Sequence, residues 1–384
     1  MGQSISQLGN SLYLIALPFQ ILKLGGTPLQ LGLGFTAESA AQVAVVLFGG
    51  AIVDRLPRRR VILATDLIST VVVGVVAALA IIGRLQITHI YLAAAFFGAA
   101  FAFYSPAMNA IIPELVPKDV LVSGNALRSL STQAAHVIGP SVGGILVATA
   151  GPPSAFAIDA ATFAFSFGLF LLSRPPVRQL SPRKPLLREI GNGFKYTFSV
   201  TWIWVAIVGF ALSNGFYFAG GSVAQPFLVL KVLGGSAATF GLIGAVGASG
   251  QIVGGLIVGS LHVRRLGVGI YLGSALLGLA FMGYGVVPAL PVVLVASFAF
   301  GMILIIANTI WGAAMQEHVP GELLGRVSSV DDFGSYLVGP AAPILAAATI
   351  ERIGPAPIYL IGGAVSFVFW IGALAFVRSI RELR

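Results

Sequence analysis

The stretch Val71-Val72-Val73-Gly74-Val75-Val76-Ala77-Ala78-Leu79-Ala80 is apolar on every face of any regular structure it could form. It lies in a longer run, residues 61–82, whose single charged side chain is Asp66. About 20 mostly apolar residues are what a helix needs to cross the hydrocarbon core of a bilayer. The period-two alternation of a membrane β-barrel strand is missing. Such runs recur, and the pattern predicts twelve membrane-spanning helices: 1–24, 28–53, 61–82, 88–112, 120–149, 154–172, 201–230, 237–260, 266–287, 291–316, 325–349 and 355–377. Only 9% of the 384 residues are charged, against about 25% in an ordinary soluble domain. So few ionic groups cannot hydrate a soluble surface of this size, and disorder demands the opposite composition. An all-α integral membrane protein is the class left. Cysteine is absent, which excludes disulfides, a thiolate nucleophile and Cys-ligated metal. The 48 glycines suit closely packed membrane helices.

Basic residues set the orientation, because cytoplasmic loops hold excess Lys and Arg. With both termini inside, roughly 17 basic residues face the cytoplasm, including Arg55, Arg58, Arg59, Arg60, Arg183, Lys184 and Arg265. Lys23, Arg84, Lys231 and Arg352 face out, and Arg128 falls inside a span. The net charge of +9 is therefore mostly topology plus attraction to anionic lipid at the cytoplasmic face. No basic segment is joined to a nucleic-acid reading module, so nucleic acid is not an expected partner.

The longest polar stretch, 173–200, divides the chain. Leu187, Ile190, Phe194 and Phe198 recur there at helical spacing, as in a helix lying in the membrane interface. The expected organisation is a six-helix bundle over 1–172, a cytoplasmic linker over 173–200 and a second bundle over 201–384. The halves repeat. Gly49-Gly50-Ala51-Ile52-Val53 matches Gly254-Gly255-Leu256-Ile257-Val258, and Glu114-Leu115-Val116-Pro117 matches Glu317-His318-Val319-Pro320. Gly139-Pro140 matches Gly339-Pro340, and Gly151-Pro152 matches Gly354-Pro355. Parallel six-helix repeats with a site at their interface describe a secondary transporter. The repeat maps Met1 inside the seventh helix, so the natural start is expected upstream of Met1.

The second-to-third connection reads Gly49-Gly50-Ala51-Ile52-Val53-Asp54-Arg55-Leu56-Pro57-Arg58-Arg59-Arg60. It resembles the signature loop of the major facilitator superfamily, Gly-x-x-x-Asp-Arg-x-Gly-Arg-Arg, at Gly50, Asp54, Arg55, Arg58 and Arg59, with Pro57 in place of a glycine. Gly139, Pro140, Gly143 and Gly144 on the fifth span resemble the superfamily's antiporter motif, with Ala135 for its first glycine. Residues 106–151 and Leu324-Gly325-Arg326-Val327 resemble the drug:proton antiporter-3 branch, which includes macrolide-efflux proteins and the enterobactin exporter. The resemblance implies a two-bundle fold and a latch between Asp54 and the start of the eleventh span near Gly325. Asp54 can also face a helix N-terminus on general grounds; the competing reading is a plain positive-inside loop.

Intramembrane carboxylates are costly and by default mark a pathway or a proton site. Glu38 is the lead proton-coupling candidate, with Asp159, Asp331 and Asp332 as further ones. Asp66, near the cytoplasmic end of the third span, is an alternative proton-coupling candidate or a member of the latch network. Polar stripes on the first and seventh spans are expected to face a central cavity, as lipid would penalise them. They supply the substrate candidates Gln7, Asn10, Asn214 and Tyr217, joined by Gln42, Asn109, Gln251 and Asn308. Arg128 binds a carboxylate or a substrate anion, or else snorkels.

No G-x-x-x-x-G-K-[ST] motif supplies an ATPase. Neither a nucleophile–base constellation nor a metal-ligand cluster is visible, so no enzymatic activity, cofactor or metal is expected. The expected activity is proton-driven efflux of an amphipathic organic small molecule by a monomer whose two bundles rock. The alternatives are a facilitator importing a polar nutrient and a non-transporting scaffold or sensor.

Overall fold

A computed structural model describes residues 2–53, 56–115, 121–172, 186–260, 263 and 265–383. Among these, α1 (Gly2–Lys23), α2 (Pro28–Val53), α3 (Arg58–Ile81), α4 (Ile87–Leu115), α5 (Leu121–Ala150) and α6 (Pro152–Leu172) cover the first six expected spans. The linker carries α7 (Leu186–Ser199). α8 (Thr201–Ala219) runs on through a π-turn (Gly220–Ala224), the short α9 (Gln225–Phe227) and a second π-turn (Leu228–Val232). Then come α10 (Ala237–Ser260), α11 (Leu266–Val286), α12 (Leu290–His318), α13 (Gly321–Tyr336), α14 (Ala342–Ile353), α15 (Ala356–Phe376) and α16 (Arg378–Glu382). Nine helices among the described residues are long and apolar enough to cross a membrane.

The helices end where the chemistry of the chain dictates. Gly25, Gly83, Gly151, Gly234 and Gly354 all have φ between 62° and 82°. This left-handed region stops a helix cheaply only with glycine. Gly25 pairs with Gly234 and Gly151 with Gly354 in the internal repeat, so the duplication reaches the backbone dihedrals. Helix starts repeat as well. Thr27 and Gln30 form a reciprocal capping box, with Gln30 Oε1 accepting from Thr27 N at 2.9 Å and Thr27 Oγ1 from Gln30 N at 3.2 Å. In the second half, Thr239 Oγ1 accepts from Ser236 N at 3.2 Å.

Two spans depart from a simple helix. The eleventh breaks between α13 and α14 at residues 337–341, whereas α5 is helical through its own Gly139-Pro140. Pro343 follows Pro340 within one turn, and two missing N–H donors that close together leave too few bonds to carry the helix on. The seventh span widens into π-turns around Pro226, which has no N–H to offer the turn before it. The freed ladder is supported from outside, since Tyr359 Oη donates to the Gly220 carbonyl at 3.1 Å.

The chain divides into two compact units, Met1–Pro182 with Gly235–Ala245 and Arg183–Gly234 with Val246–Arg384. In the first, α2 lies along α4, α3 along α6, and α1 against α5 and α6. In the second, α11 lies against α12 and α15, and α13 against α7 and α8. The core of the second unit is aromatic. Trp370 is fully buried and meets Tyr271 and Phe210, each with ring centroids 5.0 Å away. The linker helix belongs to this unit, with Phe194 and Tyr196 packed against its core. A Cβ on Gly193 would press on the Arg326 backbone, so α7 sits directly on α13.

Candidate functional site

Three carboxylates stand inside the first unit on three different helices. Asp66 of α3 and Asp159 of α6 are fully buried, and Glu38 of α2 is half-buried with its Oε2 out of reach of solvent. By hydrogen-bond geometry neither oxygen of Asp159, nor Glu38 Oε2, nor Asp66 Oδ1 has a partner among the described residues, although Thr162 Oγ1, which donates to the Asp159 carbonyl at 2.7 Å, lies against the Asp159 carboxylate. Asp66 Oδ2 accepts from Ser166 Oγ of α6 at 2.7 Å.

Tyr13 joins this group. It is 2% exposed, stacks on Phe97 at 4.6 Å and meets Phe156 edge-on at 5.8 Å. It stands one turn after Gly9, the α1 residue that abuts the Asp159 carboxylate. Two glycines make the arrangement possible. A Cβ on Gly9 of α1 would collide with Asp159 Oδ1, and one on Gly98 of α4 would overlap the Glu38 carbonyl. Close helix approach thus brings the acids inward and excludes the space that water would need to solvate them.

The polar stripe of α1 turns into this bundle. Ser6, Tyr13 and Gln20 are buried, and Asn10, half-buried, has its Oδ1 shielded and without a partner. Gln7 and Gln42 are half-buried. Asp66, expected from the sequence near the cytoplasmic end of its span, stands about 12 Å along α3 from its first residue, Arg58, at 1.5 Å per residue. The signal available in the sequence was its isolation within an otherwise uncharged run.

The second unit treats its polar groups differently. Asp331 Oδ2 accepts from Trp311 Nε1 at 2.8 Å, and its Oδ1 accepts from Ser335 Oγ at 3.0 Å. Asn214 Nδ2 donates to the Ser335 carbonyl at 3.3 Å. Tyr217 Oη and Ser366 Oγ share a hydrogen bond of 2.9 Å, Ser366 and Ser213 one of 2.8 Å, and Trp370 Nε1 donates to Ser213 Oγ at 3.0 Å. Gln251 is half-buried, Asp332 is exposed on α13, and Asn308 is exposed on α12.

The antiporter-like residues of α5 serve two contacts. A Cβ on Gly139 would meet Ser11 of α1, and one on Gly143 would press on Leu12 and Ile15. Gly144 and Pro140 instead abut the first turns of α10, at Ala237, Gly241 and Gly244. In the signature loop, Arg59 donates from Nε to the Phe170 carbonyl at 2.9 Å and from Nη2 to the Leu171 carbonyl at 2.8 Å. It thereby caps the C-terminal end of α6, where carbonyls lack intrahelical donors and favour a positive charge. Arg58 is half-buried at the first turn of α3. Asp54 and Arg55 lie outside the described residues, as do the side chains of Asn109 and Arg128; Gly50 is placed within α2 only.

The sequence model of the Major Facilitator Superfamily matches residues 1–343. The chain belongs to this superfamily. It is 26% identical to the multidrug efflux pump Tap of Mycolicibacterium fortuitum over 392 aligned positions, which cover 98% of this chain and 93% of Tap. It is 27% identical to the enterobactin exporter EntS of Citrobacter koseri over 353 positions, covering 88% and 83% of the two chains. Among solved structures, a POT family transporter matches 99% of the chain and 96% of its own length with a TM-score of 0.78 at 13% identity. A bacterial homologue of the lysosomal transporter Spinster, inward-facing and unoccupied, matches 99% and 95% with a TM-score of 0.71 at 17% identity. This superfamily member is a multi-pass protein of the cell membrane with the twelve-helix fold. It is a transporter of small molecules rather than an enzyme.

Proposed function

We propose that the chain exports amphipathic organic compounds in exchange for protons, with Glu38 and Asp159, grouped around Tyr13, as the proton carriers. The observation that carries this reading is the set of buried carboxylate oxygens left without hydrogen-bond partners. A buried polar group without a partner costs about 1–3 kcal/mol. Such a cost persists at functional sites, where a proton that comes and goes can relieve it. The direction of transport is supported by the relatives, since both Tap and EntS are named for export.

In this reading the two six-helix bundles rock about a central site. Gly50, Asp54, Arg55, Arg58 and Arg59 latch one side, and Asp331 and Asp332 are secondary proton candidates. Both termini face the cytoplasm, anionic lipid meets the basic face, and the protein works as a monomer. Drug accumulation in a host lacking its own pumps tests the function. Expression should lower accumulation, and a protonophore should abolish the difference. Expression-dependent uptake, or efflux indifferent to the protonophore, would overturn the proposal.

A further inference from the structure

A small cavity in the first unit is lined by a buried carboxylate, Asp66, to which the proposed proton exchange gives no role. Its polar wall is Asn10 of α1, Thr65, Asp66 and Ser69 of α3 and Tyr104 of α4, and Phe97 and Phe163 close the apolar side. It has room for a water-sized guest. Thr65, Asp66 and Ser69 fall on one face of α3 by their three- and four-residue spacing.

The donor set consists of oxygens. Asp66 is fully buried, and its Oδ1 has no hydrogen-bond partner among the described residues. Asn10 Oδ1 is likewise shielded and without a partner. Thr65 spends its hydroxyl proton on the Val61 and Ile62 carbonyls, both at 3.0 Å, which leaves its lone pairs free to face the cavity. Ser166 holds Asp66 Oδ2 from the opposite side and so aims Oδ1. A water molecule could donate to these acceptors but would leave the carboxylate charge buried and uncompensated, and a proton would remove the charge while leaving the cavity and its remaining oxygens unserved. A cation answers both needs. Oxygen ligands select a hard ion, and one carboxylate balances one positive charge.

We propose that Asp66, Asn10, Thr65 and Ser69 form a binding site for a small monovalent cation, Na+, that ties α1 to α3 inside the first bundle. This goes beyond the export reading and does not depend on it, since Glu38 and Asp159 contribute no ligand. The test is equilibrium binding of radiolabelled Na+ to the purified full chain in detergent, with choline holding the ionic strength. Saturable binding of one Na+ per chain is expected. It should weaken by at least about ten-fold in Asp66→Asn and by less in Asn10→Ala and Ser69→Ala. Binding should be unchanged in Glu322→Gln, on the exposed first turn of α13. If Asp66→Asn does not fold, Ser69→Ala and Asn10→Ala carry the test. The proposal falls if no saturable Na+ binding exceeds the choline background. It falls equally if binding survives the cavity variants, if K+ binds as tightly as Na+, or if lowering the pH stabilises the protein while Na+ leaves its Tm unchanged.

Discussion

The two units build the same helix crossings and put different chemistry on them. Glu38 stands thirteen residues after the left-handed Gly25, and Gly247 stands thirteen after the left-handed Gly234. Each marks a crossing at which a glycine on the facing helix, Gly98 of α4 or Gly301 of α12, has no room for a Cβ against the carbonyl of residue 38 or 247. Asp159 likewise stands eight residues after Gly151, and Gly362 eight after Gly354. At the first position an acid lies against Gly9; at the second a glycine receives the Phe216 ring. The duplicated element is the packing. The acids belong to one copy, and that copy also holds nearly all the buried side-chain oxygens without partners among the described residues, Thr197 of α7 being the exception. Asp331 in the second unit is bonded at both oxygens. One half therefore trades stability for titratable groups, and the other is built as a satisfied frame.

The sharpest way to break this comparison is to neutralise an acid in each unit. Glu38→Gln or Asp159→Asn should abolish efflux driven by a pH gradient in proteoliposomes and leave the Tm equal or higher, because a costly buried group is removed. Asp331→Ala should do the reverse. It should retain coupling and lose about 1–3 kcal/mol of stability, through the orphaned Trp311 and Ser335 donors. Gradient-driven efflux that survives both first-unit variants, or disappears in Asp331→Ala with an unchanged Tm, would erase the distinction.

A second, smaller effect tests whether the crossings are duplicates. Gly98→Val and Gly301→Val should each cost roughly 1–3 kcal/mol or more by overpacking, and by similar amounts. The readout is thermal unfolding in detergent. If one is tolerated and the other is not, the frames are not equivalent, and Glu38 does not owe its position to a repeated contact.

Much of this was legible because it rests on local rules. Apolar runs give the spans, Gly25 and Gly234 give the turns, and the Thr27-x-x-Gln30 spacing gives a helix start. Gly143 and Gly144 were readable as close-contact residues, although the sequence could not say that they face two different helices. What escaped the sequence depends on which face of a helix turns where. The stripe through Asn10 and Tyr13 was assigned to a central cavity because lipid could not accept it. Within the first unit Tyr13 of that stripe packs against Phe97 and Phe156, a contact that no local rule announces. Asp66 stood between a proton site and the latch network, since nothing local says that a serine one hundred residues away, Ser166, will meet it. The break at residues 337–341 needed Pro343 weighed together with Pro340, whereas the repeat drew attention to Gly339-Pro340 alone.

The smallest expected effect concerns the loops that precede α3 and α11. Arg59 holds two carbonyls at the end of α6, while Arg265, in the corresponding loop of the second unit, is exposed at the N-cap of α11. Positive-inside topology treats these arginines alike; the local geometry does not. Arg59→Ala should lower stability by about 1 kcal/mol, the scale of a charged group at a helix C-terminus. Arg59→Lys should recover only part of that, because an ammonium lacks the planar fork that reaches both carbonyls. Arg265→Ala should stay within about 0.5 kcal/mol of the parent, as surface changes usually do. Equal effects at 59 and 265 in thermal unfolding would reduce Arg59 to a topology charge, and with it the case that the signature loop does more in the first unit than in the second.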